Sequence, residues 1–401
     1  MKSSTSGNSN DKERDKTMKK ENCFWTLYKF ELRKIMRNIV AIVTFLVLLF
    51  TGLVQANFEV TGGYEGTEHL DANMESVIND RQIDNELMAE LMDKTDEAGN
   101  IEDPADEGYE GLSEWVQDVM GYGRVFEGID GNMIYEERTA SIKEAHDEMG
   151  LTEGERDYWS CQEAKITKPF AYRSDNISAA IFEGISNHML MLIMLTAASL
   201  SSVFAMETQR KTDPMIRSTI NGTKELYLAK MAAGMSYILV SLTALLLSFF
   251  AVIGIRFGFR GMDAAIQLSR PFAACALNMW QVAGILLVIL LTGALLTASF
   301  ALLISNITRN AVASMALVIA AYLGLYFGAM SVPLKFRFLS QALNLLPGAL
   351  VSSRMVYEYR LIHLGGYFTC YQAAPVIYIV LTTLLITIGY VFYKKHEIKA
   401  N

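Results

Sequence analysis

The chain has 401 residues, of which 51% are hydrophobic and 19% are charged. It is more apolar and less charged than an ordinary soluble protein, which argues against a purely soluble fold. The net charge of −8 is unevenly distributed: residues 57–183 carry 32 Asp/Glu against 9 Lys/Arg, and the rest of the chain carries 11 against 26. We therefore expect an acidic soluble module inserted into a basic, membrane-embedded protein.

The N-terminal region has two parts. Residues 1–22 are polar and of mixed charge, which is typical of a disordered tail, here assigned to the cytoplasm. Residues 24–38 read FWTLYKFELRKIMRN, with apolar side chains at near-helical spacing and four cations between them. This pattern predicts an amphipathic helix on the inner leaflet, so that residues 23–56 form an interfacial helix and the first transmembrane helix. Alternatively, the segment simply extends the first membrane helix into the cytoplasm.

Six apolar segments are long enough to cross a bilayer, whose hydrocarbon core requires about 20 residues of helix. None of them contains Asp, Glu, Lys or Arg, which favours their insertion into lipid. They comprise residues 39–56, 184–206, 231–255, 279–304, 310–334 and 374–393. We predict an all-α integral membrane protein with six transmembrane helices, five of them within residues 184–401.

The distribution of Lys and Arg predicts the orientation of these helices. Segments on the side of the two termini carry nineteen of them, and the short segments on the opposite side carry seven. Since cytoplasmic loops are enriched in Lys and Arg, both termini should be cytoplasmic and residues 57–183 extracytoplasmic. The expected location is a plasma membrane, which the chain would cross several times.

The acidic segment, residues 57–183, is predicted to be a small, mainly helical domain between the first two membrane helices. Helical apolar stripes cover residues 112–120 and 132–149, and Thr152 with Glu155 fits a capping box. Residues 93–111 are rich in acids and Gly and contain Pro104, which indicates a loop. We interpret the carboxylates as a solvated surface that would repel anions or concentrate cationic peptides.

The residue patterns of enzymes and metal sites are absent from the sequence. There is no GxxxxGK[ST] phosphate loop, no HExxH and no GxSxG, and the four cysteines lack metal-ligand spacing. We expect no enzymatic activity of the chain's own, no cofactor, no metal and no nucleic-acid partner. Whether Cys161, Cys275 or Cys370 forms a disulfide stays open.

His188 is the single ionisable side chain in the predicted membrane segments. The plainer interpretation is a neutral histidine hydrogen-bonded to another helix, and the alternative is that it lines a translocation path. The lack of other charges argues against an ion-coupled transporter, which needs charged groups at membrane depth.

The most distinctive motif connects the second and third membrane helices. An acidic residue closes one helix, a short basic stretch follows, and a Ser-Thr-x-Asn-Gly turn leads to a lysine that opens the next helix. The residues in these positions are Glu207, Arg210, Lys211, Arg217, Ser218, Thr219, Asn221, Gly222 and Lys230. This segment resembles the cytoplasmic connection of ABC-2 type permeases, although an ordinary positively charged cytoplasmic loop would share part of the pattern.

Other segments resemble the same family more loosely. Residues 31–34 resemble its N-terminal interfacial helix, residues 305–310 its short inner turn, and residues 338–348 the helices that dip back at the outer face. The resemblance implies an ABC-2 permease fold in which residues 206–230 form the coupling loop. It also implies two partners besides the lipid bilayer: a dimer of separate ABC ATPase subunits and a second permease subunit, identical or related.

The function implied by this resemblance is ATP-driven export of a peptide, an antibiotic, a lipid-like compound or an ion. Two other readings stay open. The chain could be a membrane-anchored sensor or scaffold whose acidic outer domain binds a ligand, or, less in keeping with its uncharged membrane segments, an ion-coupled secondary transporter.

Overall fold

The computed structural model describes most of the chain, and the predicted N-terminal tail lies outside the described residues. These are residues 24–61, 77–101, 103–122, 128–174, 176–210, 223–363 and 365–398. The elements are almost entirely helical; a two-stranded antiparallel hairpin, β1 (Ile362–His363) with β2 (Tyr367–Phe368), is the exception among them.

Six helices are long and apolar enough to cross a membrane, which confirms the number predicted from the sequence. Helix α1 covers residues 24–36 and precedes the first of them. The six are α2 (Ile39–Thr61), α7 (Asn176–Leu200) with its continuation α8 (Ser202–Gln209), α9 (Lys224–Arg256), α10 (Met279–Thr308), α11 (Ala311–Ser331) and α14 (Cys370–Ile398).

Helix α1 is separated from α2 by two non-helical residues, Arg37 and Asn38. The Asn38 side chain accepts a hydrogen bond from the Val40 N–H at 3.1 Å and so caps the start of α2. The helical hydrogen bonding is therefore interrupted between α1 and α2, and α1 is an element of its own.

Two of the membrane helices form the centre of the bundle. In the most apolar stretch of α7, 72% of the residues are buried, and in that of α10, 61%. The corresponding fractions for α2, α11 and α14 are only 17%, 11% and 22%. These three helices therefore expose apolar faces, which are favourable in contact with lipid hydrocarbon and unfavourable in contact with water.

A tight connection joins α10 to α11. Arg309 adopts the left-handed conformation with φ of 52°, which ends α10. The next residue, Asn310, caps α11 by accepting hydrogen bonds from the N–H groups of Val312 and Ala313. One residue with positive φ and one capping side chain therefore reverse the chain.

Two membrane helices begin about two turns earlier than hydropathy indicates. Helix α7 starts at Asn176, where the apolar segment was predicted from residue 184, and α9 starts at Lys224, where it was predicted from residue 231. Hydropathy detects the apolar part of a helix, whereas backbone hydrogen bonding continues into polar residues. As a result, Glu183 and Lys230 belong to the helices although they lie outside the uncharged segments.

The acidic segment is mainly helical in its described parts. It contains α3 (Asn85–Lys94), a 3₁₀ turn (Pro104–Tyr109), α4 (Glu110–Met120), α5 (Gly131–Glu148) and α6 (Glu153–Glu163). Three of its aspartates cap helix starts, namely Asp84, Asp103 and Asp130. Some of the acidic residues therefore have a local structural role, because carboxylates satisfy free N–H groups at helix starts.

The predicted capping box is present at the start of α6. The Thr152 hydroxyl accepts a hydrogen bond from the Glu155 N–H, and the Glu155 side chain accepts one from the Thr152 N–H at 2.9 Å. The predicted stripe at residues 112–120 is buried on one face of α4.

The acidic segment packs against two loops from the later part of the chain. The Trp115 indole donates to the Gln267 carbonyl at 2.8 Å, and the Trp159 indole donates to the Tyr359 carbonyl at 2.7 Å. The second loop also carries the short helices α12 (Arg337–Asn344) and α13 (Pro347–Leu350). Together these parts form one cap at a single end of the bundle, an association that the sequence pattern did not indicate.

Candidate coupling site

The structure describes three of the nine residues singled out in the connection between the second and third membrane helices. Glu207 lies near the end of α8, Arg210 follows that helix as its C-cap, and Lys230 lies in the second turn of α9. The other six lie outside the described residues: Lys211, Arg217, Ser218, Thr219, Asn221 and Gly222.

Glu207 and Lys230 meet in a compact group of four charges that we term the ion cluster, namely Glu31, Lys34, Glu207 and Lys230. The Lys230 ammonium is 2.6 Å from Glu207 Oε1 and 3.1 Å from Glu31 Oε2. The Lys34 ammonium is 2.8 Å from the same Glu207 oxygen and 3.3 Å from the same Glu31 oxygen. Each cation thus bridges both carboxylates, and the four ion pairs form a closed ring.

The ion cluster is buried. Lys230 is 0% exposed, Glu31 is 2% and Glu207 is 6%, while Lys34 lies at the edge. Removing such charges from water is costly unless each finds a partner, and the alternation of two anions and two cations supplies these partners. Burial alone would lower the pKa of Lys34, but the carboxylates of Glu31 and Glu207 raise it above its usual value, which keeps the ammonium charged.

Three separate helices contribute to the ion cluster. Glu31 and Lys34 are one helical turn apart on α1, Glu207 comes from α8 and Lys230 from α9. Lys230 also lies over the Phe204 ring, with the ammonium 5.5 Å from the ring centre. The cluster therefore joins the helix before the first span to the end of the second span and the beginning of the third.

The break between α7 and α8 is stabilised by a serine of α10. The Ser305 hydroxyl donates to the Ser201 carbonyl at 2.7 Å and accepts from the Phe204 N–H at 3.3 Å. These are backbone groups that an uninterrupted helix would have paired within itself. In addition, the Asn38 amide donates to the Ser202 hydroxyl at 3.1 Å, which attaches the connection between α1 and α2 to α8.

Helix α14 is hydrogen-bonded to α9 and α10 at the same end. The Tyr227 hydroxyl of α9 donates to the Ile386 carbonyl of α14 at 2.7 Å, and Asn306 of α10 donates to the Gly389 carbonyl of α14 at 2.9 Å. Tyr390 and Tyr393 pack against Tyr227. The end of the bundle that adjoins residues 211–222 is thus linked by specific polar contacts.

His188 lies apart from the ion cluster, inside the bundle. Its Nδ1 is 2.7 Å from the Gly184 carbonyl of the same helix, and its ring packs against Phe249 of α9 with 5.1 Å between ring centres. It is fully buried, and a Cβ added at Gly52 of α2 would lie 3.9 Å from its Nε2. Its environment is that of a packed core histidine bonded to its own helix.

The sequence indicated Glu207 and Lys230, whereas Glu31 and Lys34 entered only through the looser resemblance of residues 31–34. Their one-turn spacing on an amphipathic helix was the available signal. Within the parts of the chain that the structure describes, no three His, Cys, Asp or Glu side chains are grouped closely enough to hold a metal ion. Cys161, Cys275 and Cys370 are free thiols, the first exposed and the other two buried.

Comparison with known proteins gives no relative on which a function could be based. No family model, no curated protein and no solved structure matches this chain. The geometry of the ion cluster and the sequence of the connection that it flanks are therefore the features that bear on function.

Proposed function

We propose that this chain is the transmembrane subunit of an ATP-driven exporter of the ABC-2 type. A separate ATPase dimer would bind the segment 206–230 from the cytoplasm, and a second permease subunit would complete the translocation path. In this proposal both termini are cytoplasmic and the acidic segment faces outward from a bacterial plasma membrane. The observation that carries the proposal is the ion cluster, which joins α1, α8 and α9 on both sides of residues 211–222.

A connection with this architecture is suited to transmitting force. The loop is short, and Glu207 and Lys230 fix the helices at its two ends to each other and to α1. Breaking a buried ion pair by losing one partner costs about 3–5 kcal/mol. A displacement applied to the loop would therefore move α1, α8 and α9 together, as expected of rigid-body transitions between two states.

The ion-coupled alternative would use Glu31 or Glu207 to bind protons. Both carboxylates are, however, paired with two lysines each. Glu31 lies on α1, before the first membrane helix, and Glu207 lies near the end of α8. A carboxylate that carries a driving ion must release its partners in each cycle, usually near the middle of the bilayer. This arrangement favours a structural link between helices over a site that binds and releases ions.

The test is to purify the chain with the ATPase encoded by an adjacent reading frame and measure ATP hydrolysis in lipid nanodiscs. We expect a stable complex in which Arg217→Ala lowers the coupled activity several-fold while the melting temperature of the permease is unchanged. Lys335→Ala, an exposed cation outside the connection, is the matched control. Failure of any ATPase subunit to bind, or cargo movement in vesicles without nucleotide, would refute the proposal.

Orientation is tested independently with a single cysteine at Ser218 in a chain without its native cysteines. A membrane-impermeant maleimide added to intact cells should leave it unlabelled, and opening the cells should expose it. Labelling from the outside would place the connection on the wrong side for an ATPase.

A further inference from the structure

An open cavity of about 680 Å³ lies where the acidic segment meets the membrane helices. It is lined by α6 of the acidic segment, by residues 275–277 and by the first turns of α10 and α14. This volume is within the range of about 300–1,000 Å³ that is usual for small-molecule sites. The acidic segment and the membrane helices thus line one site jointly.

One end of the cavity is polar. The polar side chains that line it are two tyrosines and three glutamines, namely Tyr158, Gln162, Gln281, Tyr371 and Gln372. Gln281 accepts a hydrogen bond from the Asn278 N–H at 3.0 Å, and Gln372 accepts one from the Thr369 N–H at 3.1 Å. Because the amide oxygens of these two side chains are used in helix capping, their NH₂ groups are the donors offered to a ligand.

The other end of the cavity is apolar and descends along α10. It is formed by Ile285 and Val288, together with Pro375 of α14. Val288 is seven residues beyond Gln281, which places it about 10 Å further along the helix. The lining therefore changes from hydrogen-bonding to hydrocarbon side chains over about 10 Å, which is shorter than the roughly 15 Å of hydrocarbon in one leaflet.

No Asp, Glu, Lys, Arg or His is among the described residues that line the cavity. The nearby Arg138 is 0% exposed and is bonded to Glu163 and to the carbonyls of Pro271 and Ala273. Its charge is thus already compensated within the protein. A ligand with a net charge would lose its hydration here without gaining an ionic partner.

We propose that this cavity binds an amphipathic molecule with an uncharged, hydrogen-bonding headgroup and an aliphatic chain. The headgroup would lie between α6 and the first turns of α10 and α14, and the chain would lie along Ile285 and Val288. Its role as the exported cargo rests on the proposed function, whereas binding itself does not. The acidic segment would then contribute directly to ligand selection through Tyr158 and Gln162.

The chain provides a matched pair of variants for the test. Gly284 lines the cavity and Gly324 lies on the exposed side of α11, and at both positions an added Cβ meets no atom within 4 Å. Gly284→Trp would therefore fill the cavity without a clash at the backbone, and Gly324→Trp would add the same side chain elsewhere. Val288→Trp, at a position 49% exposed, fills the apolar end and serves as a second variant should Gly284→Trp misfold.

The experiment uses the full chain in nanodiscs of phosphatidylethanolamine and phosphatidylglycerol, without any ATPase. The probe is a monoacylglycerol with a photoactivatable group in its acyl chain, and cross-linked peptides are mapped by mass spectrometry. We expect labelling at residues 281–288 and 371–375 that falls at least five-fold in Gly284→Trp and is unchanged in Gly324→Trp. Unlabelled monolauroylglycerol should compete, and laurate and dodecyltrimethylammonium should compete at least five-fold less well.

Equal labelling of the exposed face of α9, unchanged labelling in the filled variants, or stronger competition by either charged amphiphile would overturn the proposal. Because no nucleotide is involved, these results are independent of whether an ATPase couples to the chain. Loss of ATPase coupling with intact probe binding would contradict the proposed function alone.

Discussion

Replacing Lys230 with methionine removes one of the two cations of the ion cluster and retains most of the aliphatic stem. Glu31 and Glu207 would then share only Lys34, which is already in contact with both. Since Lys230 is 0% exposed, water cannot compensate for the lost ammonium. Removing one partner of a buried ion pair costs about 3–5 kcal/mol.

This cost should be visible as a lower melting temperature. With about 2–4 °C per kcal/mol for domains of 150–250 residues, and somewhat less for a longer chain, we expect a decrease of about 5–10 °C. The double variant Lys230→Met/Glu207→Met leaves one cation and one anion paired and replaces the others with apolar groups. It should be more stable than the sum of the two single changes predicts, by about 2 kcal/mol.

The assay is thermal unfolding in nanodiscs, followed by intrinsic fluorescence, for the wild type, both single variants and the double variant. Lys224→Met is the matched control, because Lys224 is an exposed lysine at the start of the same helix, α9. We expect it to change the melting temperature by less than about 2 °C. If Lys230→Met behaves like this control, or if the double variant shows simple additivity, the four charges do not act as one buried network.

Three further predictions concern other parts of the structure. Although burial raises the pKa of Glu155, hydrogen bonds from Arg337 and from the N–H groups of Thr152 and Leu361 hold it below 4.5. Glu155→Gln should therefore destabilise the chain by about 1–3 kcal/mol at pH 7. Melts at decreasing pH should show this difference persisting to about pH 4.5 and vanishing as the pH falls through the folded-state pKa of Glu155. A difference that grows in acid would contradict this prediction. Gly184→Ala would place a Cβ 1.9 Å from the Phe249 ring. Thermal melts should therefore show a cost of about 1–3 kcal/mol, which the second change Phe249→Leu should partly relieve. If Phe249→Leu gives no relief, this contact does not cause the cost. In a chain with Cys23→Ser, a maleimide at pH 7 should modify the exposed Cys161 rapidly. Cys275 should stay unmodified until unfolding although it borders the cavity, because its side chain is only 3% exposed and burial raises its pKa to about 12. Early modification of Cys275, seen by peptide mapping, would show that its thiol is reachable from the cavity.

The membrane helices could be predicted from the sequence because the bilayer makes the requirement local. Every backbone polar group within hydrocarbon must be paired inside its own helix, so about 20 consecutive apolar residues suffice to identify a span. The capping box at Thr152 and Glu155 is local for a similar reason, since the two residues satisfy each other three positions apart. Helix ends were less accessible, as the early starts of α7 and α9 show.

The contacts that define the two candidate sites depend on long-range packing. Glu31 and Lys230 are 199 residues apart in the chain, and the indole of Trp159 bonds to a carbonyl 200 residues away. Hydrophobic periodicity determines that a segment is a helix and which face is apolar, but it carries no information about which other segment covers that face. Six spans and a charged connection were therefore fixed by composition and spacing, whereas the closed ring of four charges and the cavity shared by α6, α10 and α14 arose only when packing brought distant side chains together.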